Sequence, residues 1–526
     1  MRALENQTPT TTARNSATVA GWGLVSRATG LLRVVVIGAV LGPTYFANAF
    51  QTGYFVPHLV FILIAGPVLA MVLVPGVVRS LGAGGIGRAR EVLAGVSGWL
   101  LAVSAVVIAL LMILSPVVAW TLTLGIPDPA ARARGRWLST LLVLLIAPQV
   151  LLYILAHVGA AAQQARGRFA LAAGASAVEN VILILTVVVA GGYYGMGLDV
   201  DHVPVGLVVV LGMGSTVAVA LHAGLQLFGT ARVGLLTWPS MRWRRDVEAR
   251  AVTRRLVRSV GVAAWPAAAM YVLFTVAGSV PGGAFVVQLS HSVLYSLSYV
   301  SAHAVSMAAL PGLAHAAHRE DEVTFGSAWR QALSYAVIAS LPLLVLLAVN
   351  CLPTANILAN GKLRGAALIG PLAACLGVVA VAQLVGGVHD IGRQALFARL
   401  EERIPCRASE VAFGVVVVAA AVAVLLPADG SRLVWLVVAI LASELVAAGT
   451  VLVRLRRVIQ PERFLEFRGL IAALVATFAM VPVAAAMWWF ATLDGGDRLA
   501  DLALLAVGSV TALGVYVLVL RRVWRP

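Results

Sequence analysis

Charged side chains are scarce in this sequence. Asp, Glu, Lys and Arg make up 11% of the 526 residues, whereas hydrophobic residues make up 61%. Because soluble domains contain about 25% charged residues, the composition excludes an ordinary soluble enzyme. It also excludes a disordered chain, which needs high polarity to stay unfolded. Acidic residues are rarer than basic ones, and the formal net charge is +16.

Cysteine and the common metal-binding motifs are also nearly absent. Cys351, Cys375 and Cys406 lie in or beside apolar stretches and offer no disulfide framework. The sequence has no His-Glu-x-x-His motif, and the glycine-rich segment 82–87 lacks the lysine of a phosphate-binding loop. We therefore expect no metal, no cofactor and no ATP site. The polar first 17 residues show no cleavage pattern, so we expect no removable signal peptide.

Long apolar runs occupy most of the remaining sequence. One membrane-spanning helix needs about 20 apolar residues, and the runs recur to the end of the chain. They predict an all-α polytopic membrane protein with about 14 transmembrane helices. The predicted helices are 18–41, 45–78, 92–122, 137–163, 169–193, 205–228, 256–279, 284–312, 331–355, 365–388, 408–427, 433–453, 468–490 and 500–520.

The distribution of basic residues predicts the orientation of these helices. Lysine and arginine concentrate in loops that face the cytoplasm. With the amino terminus inside, most of the 38 basic residues fall on the inner side, most densely at 229–258. We therefore expect both termini in the cytoplasm and contact between the arginines and anionic inner-leaflet lipid. Nucleic acid is an unneeded explanation for the positive charge.

The basic segment divides the chain into two predicted halves. Transporters commonly consist of two related halves with the substrate cavity between them. The predicted parts are a cytoplasmic tail at 1–17, a six-helix half at 18–228, a basic cytoplasmic linker at 229–255, a second six-helix half at 256–455, and two extra helices with a basic tail at 456–526.

Four short stretches, in this order and spacing, resemble the MurJ/MviN lipid II flippase family, within the superfamily that includes the MATE exporters. The resemblance implies a flippase fold whose cavity arginines hold the diphosphate of a lipid-linked precursor. The stretches are Ser26–Arg33 with Leu41-Gly42, Ala47–Phe50 and Pro57; Gly167-Arg168-Phe169 with Asn180; Ala309–Leu313; and Gln394–Ala398.

The chain also departs from the family pattern at charged positions. The family's aspartate in the second helix is Asn48 here, and its acidic residue after the second arginine of the first helix is Val34. Of the family's cavity arginines, the chain keeps Arg27 and Arg33. The family's other charged positions fall on Phe61 and Ile62, and near His291 and Ser292.

Arg33 and Arg27 are the leading candidates for substrate binding. Ionisable groups inside a membrane span are costly and usually functional. A guanidinium facing a hydrated cavity donates charge-assisted hydrogen bonds to a phosphate. The alternative is an arginine satisfied by carbonyl groups near the inner surface. The resemblance adds polar residues of the second and eighth helices to the cavity: Asn48, Gln51, His58, Gln288 and His291.

Three glutamates are candidates for ion coupling. Glu444 and Glu179 lie well inside predicted helices, and Glu410 lies at the start of another. A buried carboxylate can bind and release a proton. The alternative is a protonated side chain that only bonds a neighbouring helix. A sodium site is less favoured because it needs several converging oxygens.

These observations favour a membrane transporter over an enzyme. The leading hypothesis is a flippase that moves a lipid-linked diphosphate precursor of peptidoglycan from the inner to the outer leaflet of a bacterial cytoplasmic membrane by alternating access. The alternative is a related exporter of a polysaccharide precursor or small hydrophobic product, with proton coupling as an option. A membrane glycosyltransferase and an inactive scaffold remain as weaker hypotheses.

Overall fold

A computed structural model describes residues 9–64, 66, 68–365, 367–459, 465–493 and 498–524. The chain is 88% helical, and the described residues contain no strand. They form two compact units, and the division falls between Tyr271 and Val272. The division lies inside a helix, so each unit is described by itself.

The first unit contains nine helices among its described residues, the last of which continues into the second unit. They are α1 (Pro9–Leu41), α2 (Tyr45–Ile64), α3 (Val68–Ile113), α4 (Ser115–Leu122), α5 (Pro129–Ile146), α6 (Gln149–Ala165), α7 (Ala170–Tyr194), α8 (Val205–Arg232) and α9 (Val247–Ala277).

The second unit contains nine further helices among its described residues. They are α10 (Gly283–Val300), α11 (Ala302–His318), α12 (Glu322–Val349), α13 (Cys351–Leu358), α14 (Ile369–Ala398), α15 (Arg403–Leu425), α16 (Gly430–Ile459), α17 (Phe467–Leu493) and α18 (Arg498–Val523). The last two helices pack on α12, where the Tyr516 hydroxyl donates to the Ile338 carbonyl at 2.7 Å.

The number of membrane spans agrees with the sequence prediction. Thirteen described helices are long and apolar enough to cross a membrane, or up to 14 if a bent pair counts as one span. The bent pair is α10 and α11, which change direction by 43° at Ser301. The prediction of a polytopic all-α membrane protein with about 14 spans is therefore confirmed.

Glycines change the predicted boundaries of the second and third spans. The single helix predicted at 45–78 is wrong, because α2 ends at Ile64 and α3 begins at Val68. The intervening Gly66 has φ +41°, in the left-handed region that glycine adopts readily. The connector predicted between 78 and 92 coincides with Gly84 and Gly85, whose non-helical backbone angles interrupt α3.

The basic segment predicted as a long loop is short and tightly packed. Helix α8 continues to Arg232 and α9 begins at Val247. Between them, Ser240 donates its backbone N–H to the Ala94 carbonyl of α3 at 2.8 Å. A Cβ on Gly98 would lie 2.2 Å from the Ser240 carbonyl oxygen, so this approach requires glycine.

Asp246 fixes the start of α9. Its carboxylate accepts the Ala249 N–H at 2.9 Å and pairs with Arg88 at 2.5 Å. Burial alone would raise the pKa of Asp246, but the Ala249 N–H and the Arg88 guanidinium outweigh it and lower that pKa. The segment is therefore attached to α3 by charge as well as by packing.

Candidate functional site

Arg33 lies half-buried on α1 and is held by neutral groups of two other helices. Its Nη1 donates to Asn180 Oδ1 of α7 at 2.9 Å and to the Tyr54 hydroxyl of α2 at 3.2 Å. The guanidinium carbon lies 5.2 Å from the centroid of the Tyr54 ring, a cation–π contact. Among the described residues, no carboxylate forms a salt bridge with Arg33. Its positive charge is therefore oriented but not directly paired.

Glu179 is linked to Arg33 through one intervening side chain, that of Tyr54. Both oxygens of its carboxylate have hydrogen-bond partners. The Tyr54 and Tyr153 hydroxyls donate to Oε1 at 3.2 and 2.9 Å, and His222 Nδ1 lies 2.7 Å from Oε2. The Glu179 side chain is 7% exposed. Tyr54 thus connects the arginine to the glutamate. We call this set the N-terminal cluster: Arg33, Tyr54, Tyr153, Glu179, Asn180 and His222.

Close packing of α1 against α7 makes this arrangement possible. The Asn180 Nδ2 donates to Thr29 Oγ1 at 3.1 Å and to the Ser26 carbonyl at 3.3 Å. The Ser26 and Ser176 hydroxyls are 2.8 Å apart. A Cβ on Gly30 would lie 3.6 Å from Asn180 Nδ2, an ordinary contact distance. Small residues on α1 thus allow the Asn180 amide to orient Arg33.

A cavity of about 100 Å³ lies beside the cluster. Its polar lining includes His157, Ser176, His222 and Gln226. A water molecule occupies about 30 Å³ in the liquid, so the cavity can hold a few waters next to the His222–Glu179 pair. The unit therefore combines a buried ion cluster with a polar space at its edge.

The other predicted residues of the first unit take two different positions. Asn48, Gln51 and His58 follow one face of α2; the first two are 1% exposed. The Gln51 Oε1 atom is buried without a protein hydrogen bond. The His58 ring lies 5.3 Å from that of Tyr153, which joins it to the N-terminal cluster. Arg27 lies exposed on α1.

The predicted site residues of the second unit lie on three different helices, α10, α15 and α16. Gln288 of α10 is buried and donates to Ser292 Oγ at 3.1 Å, and the His291 ring lies 4.8 Å from that of Tyr295. Glu444 lies near the middle of α16. Glu410 lies exposed on α15.

A second ion cluster surrounds Glu444. His389 Nδ1 lies 2.8 Å from Glu444 Oε2. The next residue, Asp390, pairs with Arg393 one turn along α14 and accepts from His303 of α11, with 3.1 Å between Nδ1 and Oδ2. We call these five residues the C-terminal cluster.

The sequence prediction missed most of the C-terminal cluster. The prediction ended the tenth helix at 388, whereas α14 continues to Ala398 and carries His389, Asp390 and Arg393 inside it. The spacing of Asp390 and Arg393 was the available signal, because an i,i+3 pair of opposite charge is typical of one helix face. Tyr54, Tyr153 and His222 were also missing from the predicted site, since their partners lie on other helices.

The two clusters offer charge recognition and proton exchange. Among the described residues, no group of three or more His, Cys, Asp or Glu side chains could hold a metal ion. The chemistry available is an oriented guanidinium and several histidine–carboxylate pairs. Both suit the binding and movement of charged cargo.

Known proteins share this architecture. The chain resembles the structure titled lipid II flippase MurJ, inward closed conformation, with a TM-score of 0.69 and 13% identity over 96% of this chain and 98% of that one. An inward-facing multidrug resistance MATE transporter has a TM-score of 0.62 and 15% identity over 83% and 94%. A MOP superfamily transporter from Pyrococcus furiosus has a TM-score of 0.57 and 16% identity over 85% and 95%.

The sequence itself matches one family model along most of its length. The model described as lipid II flippase MurJ matches residues 37–494, which include nearly all of both units. The match confirms the resemblance that the short motifs indicated. This chain belongs to the MurJ lipid II flippase family.

Proposed function

We propose that this protein moves a lipid-linked, diphosphate-bearing cell-wall precursor of the lipid II class from the inner to the outer leaflet of a bacterial cytoplasmic membrane. The observation that carries the proposal is the family match across residues 37–494. The fold similarity to MurJ over 96% of the chain supports it. Two compact units are the kind of halves that alternating access requires.

Arg33 is the residue that we assign to the diphosphate. Its direct partners, Asn180 and Tyr54, are neutral, and its buried Nε has no protein hydrogen bond. An anionic oxygen would pair with the guanidinium directly and accept from its edge. Such a bond is stronger than one to a neutral acceptor, so the cargo gains affinity without displacing an existing ion pair. Arg27, on the same helix, is a second candidate.

Neutral polar residues are assigned to the rest of the headgroup. Asn48, Gln51 and His58 on α2, with Gln288 and His291 on α10, offer amide and imidazole groups that hydrogen-bond sugars or peptides. The buried Oε1 atoms of Gln51 and Gln288 have no protein hydrogen bond and favour this role. A hydroxyl or amide N–H of the cargo would satisfy them.

The orientation follows from the positive-inside rule. We assign both termini to the cytoplasm, because this places the basic segment 229–258 beside the anionic inner leaflet. Glu248 and Asp246 already pair with Arg79 and Arg88 of α3. The arginines of the basic segment are the ones assigned to lipid headgroups.

The test is complementation of a bacterium depleted of its own lipid II flippase. The wild-type chain should restore growth and prevent lipid II from accumulating on the inner leaflet. Arg33→Ala should fail to restore either, because the cargo loses its anchoring cation. Arg407→Ala, an exposed arginine on α15, is the control and should rescue like the wild type.

Two results would contradict this assignment in different ways. Full rescue by Arg33→Ala, with equal membrane levels of both proteins, would remove the anchoring role and keep the flippase. Failure of the wild-type chain to rescue, despite normal insertion, would contradict the substrate class itself.

An exporter of small molecules is the second candidate. The similarity to multidrug MATE transporters over 83% of the chain favours it. This hypothesis expects deletion of the gene to alter tolerance to drugs while lipid II reaches the outer leaflet at the normal rate. A wall-precursor defect with unchanged drug tolerance would exclude it.

A further inference from the structure

The C-terminal cluster contains one more carboxylate than arginine. Asp390 and Glu444 are its acids, and Arg393 is its only permanent cation. Uncompensated charge inside a membrane protein is expensive, so such groups are usually paired or neutralised by a proton. The surplus carboxylate therefore needs one further proton for the cluster to be neutral.

The hydrogen bonds show which carboxylate carries the surplus. Asp390 is satisfied on both oxygens, by Arg393 on Oδ1 and by His303 on Oδ2. Glu444 is bonded to His389, and no arginine among the described residues forms a salt bridge with it. Asp390 and Arg393 thus compensate each other, and the additional proton belongs to the His389–Glu444 pair.

The surroundings of Glu444 leave this pair able to exchange a proton. The Glu444 side chain keeps 29% of its surface accessible, compared with 7% for Glu179. Next to it lies Gly386, whose Cβ, if present, would be 3.8 Å from Oε2. A partly accessible carboxylate in a membrane helix is tolerated where it meets water. The Nδ1–Oε2 contact already holds the single ring proton of a neutral imidazole, and the buried His389 Nε2 has no protein hydrogen bond, so an added proton resides on Glu444 Oε1 or on His389 Nε2.

We propose that the His389–Glu444 pair is a proton-binding site that is loaded and unloaded during each transport cycle. This inference rests on the proposed flippase function and adds its coupling ion. Loading transfers one proton from water to the pair, onto Glu444 Oε1 or His389 Nε2, and unloading returns it to water. No other bond is formed or broken. Loading makes the cluster neutral, and unloading restores one net negative charge beside Arg393.

The charged and titratable groups described around the pair belong to three helices. The groups are Asp390 and Arg393 of α14, His303 of α11, and Tyr295 and Tyr299 of α10. Asp390 repels negative charge on Glu444 and Arg393 attracts it, so the two oppose each other at the pair. These groups, which belong to described helices packed around α14 and α16, determine the electrostatic potential at the pair.

The experiment measures protonation directly and needs no transport. Full-length protein in vesicles of phosphatidylglycerol and phosphatidylethanolamine is titrated between about pH 5 and 8, where histidine exchanges protons. Infrared difference spectra follow the carbonyl stretch of protonated carboxylic acids and the imidazole ring modes. The wild type should show a carboxylic-acid change from this pair, besides ring-mode changes of the other histidines that all variants share. Glu444→Gln and His389→Gln should each abolish the carboxylic-acid change, and Glu320→Gln, in the exposed turn after α11, should retain it.

Transport is then compared in the same vesicles with a fluorescent lipid II analogue. The pH dependence of flipping should disappear in Glu444→Gln and His389→Gln and persist in Glu320→Gln. An infrared change that survives in both pair variants would overturn the proton site, whatever the vesicles transport. If the infrared change is lost as expected but the wild type moves no lipid II analogue, the substrate class fails and the proton site stands. Gel filtration excludes misfolded variants. Because two independent substitutions are used, the test still stands if one of the two variants does not fold.

Discussion

The two ion clusters differ in how completely each charge is matched. In the N-terminal cluster, one arginine accompanies one glutamate, and Glu179 accepts from three donors while only 7% exposed. In the C-terminal cluster, two carboxylates accompany one arginine, and Glu444 is 29% exposed. The same residue types thus support two tasks. A balanced, buried cluster holds a permanent cation in place, whereas an unbalanced, accessible one can take up a proton.

The difference also supports the role in cargo binding that we propose for Arg33. Its glutamate is separated from it by the Tyr54 hydroxyl, which accepts from Arg33 and donates to Glu179. The carboxylate compensates the charge at a distance and leaves the guanidinium edge for another anion. In the second unit Asp390 bonds Arg393 directly, so that arginine is already occupied. Arg393 is therefore a poorer phosphate anchor than Arg33.

The largest effect is expected when the balanced cluster loses its acid. Glu179→Gln leaves Arg33 without its compensating charge and places an amide N–H group against either His222 Nδ1 or the two tyrosine hydroxyls. A buried polar group left without its partner costs about 1–3 kcal/mol, and more when the group is charged. We expect a large fall in the melting temperature in detergent. Glu410→Gln is the exposed control and should melt like the wild type.

A double-mutant cycle measures whether the stability of the protein depends on the balance between the charges of Arg33 and Glu179. Arg33→Gln combined with Glu179→Gln should regain part of the stability lost in Glu179→Gln, because neither charge is then left alone. Strictly additive losses would show that the two charges are not coupled through Tyr54, and the contrast between the clusters would lose its basis.

The next effect concerns the surplus carboxylate. Asp390→Asn leaves Glu444 and Arg393 as one acid and one base, so the cluster becomes neutral without an extra proton. The infrared signal of the exchangeable proton should disappear, although His389 and Glu444 are both intact. The amide oxygen introduced by this substitution can still accept from Arg393, which limits the loss of folding stability. A signal of wild-type size in Asp390→Asn would mean that the charge balance of the cluster does not determine whether the pair binds the extra proton.

Helix packing beneath the C-terminal cluster should give a smaller effect. Adjacent glycines of α14 meet different neighbours: a Cβ on Gly387 would lie 2.6 Å from the Ala302 side chain, whereas one on Gly386 would lie 3.8 Å from Glu444 Oε2. Gly387→Ala should destabilise the protein by about 1–3 kcal/mol through overpacking. Gly386→Ala makes only an ordinary contact and is the control. Equal melting temperatures for the two variants would contradict the close approach of α11 to α14.

The sequence was sufficient to predict the spans but not their ends. Apolar runs of about 20 residues identify a membrane helix, so the count of about 14 was accessible. Helix α14 was predicted too short because a hydropathy scale counts Asp390 and Arg393 as two separate unfavourable charges. In the structure the two side chains lie one turn apart and neutralise each other. The break at Gly66 was missed because glycine is common within membrane helices and its φ is not visible in a sequence.

The candidate site was predictable in its rare intramembrane charges, Arg33, Glu179 and Glu444, but not in most of their partners. Arg33 stands out because an arginine within an apolar run is rare. Its partners come from α2 and α7, and Glu179 is bonded from α2, α6 and α8. Such contacts join residues between 21 and 147 positions apart, the most distant being Arg33 and Asn180. No periodicity along one helix encodes them, so Tyr54 and His222 required the structure.

The smallest effect is expected at the edge of the N-terminal cluster. Thr29→Val removes the hydroxyl that accepts from Asn180 Nδ2 and keeps the side-chain shape. Asn180 retains its bond to the Ser26 carbonyl, so the loss should be about 1 kcal/mol, the usual net value of one hydrogen bond. Thr511→Val is the matched control, because both hydroxyls donate to a carbonyl one turn back but Thr511 lies exposed on α18. A larger drop in melting temperature for Thr29→Val than for Thr511→Val is expected, together with a weaker apparent affinity for the lipid II analogue. If the two threonine variants behave alike, Asn180 does not need Thr29 to orient Arg33, and the preorganisation of the first cluster is confined to Tyr54 and Glu179.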